Sequence, residues 1–163
     1  MLFRSNTVAD QLSRSWRSPL RAALEWPLAN SVFLAITERF SFRPTLDLFA
    51  SSANAKARRF FSLRLDPLAL AHDAFGQHWG GNEALWINAP FGCMSRVVAK
   101  LFNDRPREAV LVVPHWPAQP WFQRLMHSPM TTGAVLLPAE AVASGPLHHI
   151  AEPLRNPLWR LMA

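Results

Sequence analysis

The chain has 163 residues, the length of one domain with appendages, and half of them are hydrophobic, which excludes global disorder. Its single cysteine, Cys93, excludes an internal disulfide and a cysteine-built zinc cluster. The net charge of +6 comes almost wholly from arginine, Lys56 and Lys100 being the only lysines; the excess suits phosphate contacts and equally suits a chain simply rich in Ala, Arg and Pro.

Residues 1–26 are polar and basic, with Trp16 and Trp26 among them. Pro27 opens a helical spacing of apolar residues (Leu28, Val32, Leu34, Ala35, Ile36, Phe40) that Pro44 ends. Three short apolar runs then read as strands: Leu46-Asp47-Leu48-Phe49, Phe60-Phe61-Ser62-Leu63 and Leu85-Trp86-Ile87-Asn88. Residues 92–103 read as a helix, with Met94, Val97, Val98, Leu101 and Phe102 on one side. Ala109 to Val113 is the clearest strand and is closed by Pro114. A short helix over 120–127 and a strand over Ala134 to Leu137 follow. The tail from residue 146 holds Pro146, Pro153 and Pro157 and reads as irregular.

Wholly apolar strands alternating with helices predict an α/β fold, a doubly wound and mostly parallel sheet covered on both faces. Ligands of such sheets sit beyond the carboxyl ends of the strands. The residues to read for chemistry are then Ala50 to Asn54, Asp73, Asn88 to Phe91, and Pro114 to Trp121. No apolar run is long enough to cross a bilayer, and the first residues lack the apolar stretch of a signal peptide. The expectation is an intracellular protein, cytoplasmic or nuclear, without a membrane partner.

Two segments carry a resemblance. Asn6-Thr-Val-Ala-Asp10-Gln-Leu-Ser13-Arg14 resembles the end of a reverse-transcriptase-linked ribonuclease H, where Asn-x-x-Ala-Asp-x-Leu-Ser-Arg is typical. The resemblance implies that Asp10 descends from a metal ligand. Its companion acidic groups are absent from this chain, and a lone carboxylate does not hold a magnesium pair, so no nuclease activity and no metal site are expected. The second segment spans residues 46–138. Its Asp47-Leu-Phe-Ala-Ser51, Asn88-Ala-Pro-Phe91 and Trp116-Pro-Ala-Gln-Pro-Trp121 appear in the order seen after ribonuclease H in DIRS-type retrotransposon polyproteins. That order is also similar to the phage adenine-N6 DNA methyltransferases related to the Dam enzymes.

The resemblance implies a single small domain in Rossmann-like methyltransferase order over 27–145. A ribonuclease H remnant and linker would precede it over 1–26, and a Pro-rich tail over 146–163 would follow. It implies a flipped or unpaired adenine as the substrate element. Asn88 and the Ala89 carbonyl would accept the two N–H bonds of the exocyclic amine, Pro90 would shape the turn, and Phe91 would stack on the base. Ala89 stands where the family has proline; the carbonyl survives that change, and Pro90 still drives Ala89 to extended geometry. If the protein is active, S-adenosylmethionine is the cofactor, with Asp47, Ala50 and Asn54 near its methionine end and Asp73 accepting from its adenine. The turn Ala50-Ser-Ser-Ala53 lacks the usual glycine. Nucleic acid, DNA before RNA, is the implied partner, with Arg58, Arg59 and Arg64 as a basic patch and Trp116 as a stacking candidate; the parent retroelement polyprotein is the other. Read without the resemblance, Asn88 to Phe91 equally make a strand ending in a Pro-containing turn, and Asp47 and Asp73 equally serve turns and caps. Three readings stay open: a degenerate methyltransferase-like module that binds nucleic acid, an active adenine-N6 methyltransferase, and an inactive segment of a polyprotein.

Overall fold

The computed structural model describes residues 28–135 and the backbone of 136 and of 157–162. The ribonuclease H-like run with Asp10, the start of the first expected helix, and residues 137–156 lie outside them.

The elements in chain order are α1 (Asn30–Arg39), β1 (Leu46–Asp47), β2 (Arg59–Ser62), β3 (Ala71–His72), β4 (Ala84–Ile87), α2 (Met94–Asp104), β5 (Glu108–Val112), α3 (Pro120–Met126), β6 (Thr131–Leu136) and β7 (Pro157–Met162). Single 3-10 turns at Ala74–Gly76 and Phe91–Cys93 precede β4 and α2. One sheet runs in the order β3-β2-β1-β4-β5-β7-β6. Its first five strands are mutually parallel. β7 is antiparallel to both β5 and β6. The α/β doubly wound expectation therefore holds, with an antiparallel strand inserted near one edge. That strand is a correction to the irregular tail: Leu158 pairs with Val112 and Val135, and a strand held by such distant partners shows little in a proline-interrupted local pattern.

The wholly apolar strands have the cause expected of them. Side chains alternate across a strand, and both faces of this sheet are covered. Leu85, Ile87, Ala109 and Leu111 face α2 and α3, packing with Val97, Leu101, Trp121 and Leu125. Ala84, Trp86, Val110 and Val112 face the other way, with Ile36 of α1 and with Phe40 and Phe42 just beyond it. Complete burial of each large apolar side chain contributes about 1.5–3 kcal/mol.

Helix ends follow local chemistry. Beyond α1, Ser41 takes φ 49°, and the N–H groups of Ser41 and Phe42 return to the carbonyls of Glu38 and Thr37, so the helix closes before Pro44 acts. α2 ends on Arg105 in the left-handed region, its N–H on the Leu101 carbonyl at 3.0 Å. Pro120 takes the first turn of α3, where a missing N–H costs nothing.

Candidate functional site

The strand order reverses between β1 and β4. The chain leaves β1 toward β2 and leaves β4 toward β5, so the two following loops part and open a cleft at the carboxyl edge. Leu28, Asp47, Phe49, Asn54, Lys56, Trp86 and Asn88 line it. Three expected site residues (Asp47, Asn54 and Asn88) are thus brought together although Asp47 and Asn88 lie far apart in the chain.

Asp47 ends β1 and is 3 % exposed. Its carboxylate accepts the backbone N–H of Phe49 at 3.2 Å and that of Lys56 at 2.9 Å. Burial pushes the carboxyl up to about 6, against the pull of those two N–H groups and the Lys56 charge. Asn54 closes the turn between: its side-chain oxygen accepts from the Ser51 N–H at 2.7 Å and the Ser51 hydroxyl at 3.1 Å. Ala50 is buried, with its N–H on the Phe61 carbonyl at 3.0 Å. Asp66, from the loop after β2, accepts the Ser52 N–H at 2.8 Å and ties the two loops together. Sequence reasoning did not single out Lys56 for the site. Its ammonium bonds the Asn30 side-chain oxygen and lies 5.7 Å from the Phe33 ring centroid. The signal was its position in the loop after the first strand.

Asp73 directly follows β3 and is exposed. It holds φ 50°, and its carboxylate caps the next turn by accepting the Phe75 N–H at 3.1 Å. Phe75 packs edge-on against Phe49 at 5.4 Å, and both rings touch Trp79. Arg96 of α2 lies 3.9 Å over the Phe75 ring. These aromatics join the loops after β1 and β3 along the same edge of the sheet.

Asn88 is the first residue past β4 and half-buried. Ala89 is 3 % exposed, and Pro90 stands exposed at φ −53° and ψ 134°. Phe91 starts the 3-10 turn leading into α2 and is half-buried rather than sunk in the core. Across from it, Trp116 sits on the turn after β5, with ring centroids 6.0 Å apart.

The expected basic patch does not form at this edge. Arg59 opens β2 at the amino-terminal edge, where it pairs with Glu83, and Glu83 also accepts from the Thr45 hydroxyl. The Thr45 hydroxyl and the Arg59 guanidinium hold the Glu83 carboxyl below its ordinary value. Arg58 is exposed beside Arg59, whereas Arg64 follows β2 at the opposite edge. A four-residue strand separates such ends by about 10 Å. Among the described residues no three His, Cys, Asp or Glu side chains gather as metal ligands would, and no helix is long and apolar enough to cross a membrane.

A doubly wound sheet whose first five strands run 3-2-1-4-5, with an Asn-Ala-Pro-Phe turn at its switch point, defines an α/β protein of the class that takes its ligands beyond the strand ends. The sequence model of the DNA N-6-adenine-methyltransferase (Dam) family matches residues 17–129. The chain belongs to that family. The matched stretch holds α1 to α3 and β1 to β5, and begins after the ribonuclease H-like run. No curated protein matches the chain significantly.

Proposed function

We propose that this chain is a retroelement-derived, adenine-directed member of the family that binds nucleic acid, DNA before RNA, and has lost part of its cofactor side. The observation that carries the reading is the convergence of Asn88 and Asp47 on one cleft at the switch point. On the base side the residues fit. The Asn88 amide oxygen and the Ala89 carbonyl are two acceptors on adjacent residues, the number an exocyclic amine needs. Accepting both N–H bonds raises electron density on the nitrogen and favours a base with an exocyclic amine over thymine. Pro90 keeps Ala89 extended, and Phe91 offers a ring to the base.

On the cofactor side the fit is poor. When bound, S-adenosylmethionine supplies the electrophilic methyl group of this family. Here the Asp47 carboxylate is engaged by the N–H groups of Phe49 and Lys56. The turn from Ala50 to Ala53 has no glycine to let a ligand approach its backbone. The cleft is about 30 Å³, room for about one or two waters.

One observation favours the second reading, an active S-adenosylmethionine-dependent adenine-N6 methyltransferase. Asp73 stands exposed at the end of β3, where a carboxylate would accept from the cofactor's adenine amine. Methyl transfer to adenine-containing single- and double-stranded DNA separates the two. The proposal expects no signal above that of Asn88→Ala; transfer abolished by Asn88→Ala establishes the second reading. The retroelement origin rests on the Asn6 to Arg14 run. A transcript whose frame continues upstream into further ribonuclease H acidic residues is its expected support, and a stop codon directly upstream would remove it.

A further inference from the structure

The Phe91 ring is supported by the turn opposite it. Trp116 meets it edge to face, with centroids 6.0 Å apart and planes at 74°. This is an attractive aromatic geometry. Rings that sandwich a base lie parallel with the thickness of the base between them; these are near perpendicular and in contact.

Trp116 is itself fixed from behind. Its ring lies 6.2 Å from Trp121, which is buried and lies 5.7 Å from Phe122 in the core. Its backbone N–H donates to the Pro114 carbonyl at 3.0 Å, and its backbone carbonyl accepts the Gln119 N–H at 2.9 Å. The Gln123 side chain donates to the Pro117 carbonyl at 2.6 Å, binding the turn to α3. The turn after β5 thus carries a rigid row of rings from the core to the edge of Phe91.

We propose that Trp116 is a positioning residue: its edge fixes the plane of the Phe91 ring, and the unpaired base stacks on Phe91 alone. This rests on the reading of Phe91 as the wall for the base, and it replaces the expectation that Trp116 itself touches nucleic acid. It also assigns a task to the Trp116 end of the Trp-Pro-Ala-Gln-Pro-Trp run, which the base-recognition chemistry left unused.

The test is a double-mutant cycle on the full chain. The probe is a short, end-labelled single-stranded DNA with one adenine among thymines, read by fluorescence anisotropy as a dissociation constant. Phe91→Ala should weaken binding by about tenfold, the effect of one lost base stack. Trp116→Ala should weaken it by about fivefold, within the range of one lost aromatic pair. The double variant should bind no more weakly than Phe91→Ala. Trp116→Phe, which keeps an edge, should restore most of the affinity. Trp116→Leu keeps bulk against Trp121 without a ring and should bind as weakly as Trp116→Ala; it covers the case in which the alanine variant fails to fold. Losses that multiply in the double variant mean that Trp116 contacts the base independently and overturn the proposal. Wild-type binding by Trp116→Leu overturns it too, leaving Phe91 as the wall. Wild-type binding by Phe91→Ala removes the wall itself, and this proposal falls with it.

Discussion

The buried carboxylate of Asp47 accepts the backbone N–H of Lys56 at 2.9 Å, so the last residue of β1 holds the far end of its own following loop. The chain between them makes a turn latched by Asn54 onto Ser51. The loop after β1 is thus closed on itself.

This closure has a pH signature. In the fold Asp47 stands at about 6 against an ordinary 3.8, because burial disfavours its charge. Its stabilising contribution is fully present below the ordinary value and is lost as pH rises through about 6. The loss is about 3 kcal/mol. Asp47→Asn cannot titrate. Its stability relative to wild type should therefore rise by about that amount between pH 4 and pH 7 in urea unfolding; a difference constant with pH would contradict the assignment.

Asp104 behaves in the opposite sense. Burial pushes its carboxyl up, but hydrogen bonds from Lys100, the Trp79 N–H and Asn103 outweigh burial and set it at about 2. The Trp79 N–H lies 2.8 Å from it, and the Lys100 ammonium also 2.8 Å. Because Trp79 packs under Phe49 and Phe75, this anchor reaches the loops of the site. Its contribution is present above the ordinary value and is lost as pH falls through about 2. Asp104→Asn should cost about 2 kcal/mol at pH 7 and progressively less below pH 4. Equal cost at pH 7 and pH 2.5 in the same unfolding measurement would exclude the ionic contribution.

The two acceptors after β4 should give base preference. Removing one net hydrogen bond costs about 1 kcal/mol, roughly fivefold in affinity. Asn88→Ala should lose about that factor for an adenine-bearing single strand and little for an all-thymine strand, measured by fluorescence anisotropy. Equal losses for both strands would mean that Asn88 supports the turn and does not read the base.

Much of the sheet was legible because each apolar run of β4 and β5 ends at a turn residue, and both faces being covered leaves no polar alternation to mislead. Asn88 and Asp47 could be placed on the same edge in advance because both stand at the ends of apolar strands read as parallel. What was hidden depends on partners distant in the chain. Arg59 meets Glu83 at the amino-terminal edge, which no local pattern reveals. β7 is a strand because β5 and β6 flank it. Leu28, Lys56 and Trp86 come from separate parts of the chain to line the cleft, a convergence that no local motif reveals.

The claim that the base side survives while the cofactor side has closed is tested most directly by calorimetric titration of the folded chain with S-adenosylhomocysteine. The account expects no saturable binding tighter than about 1 mM, the level of a few non-specific contacts. Saturable binding in the micromolar range that Asp73→Ala abolishes would contradict it and establish that the pocket opens to admit the cofactor.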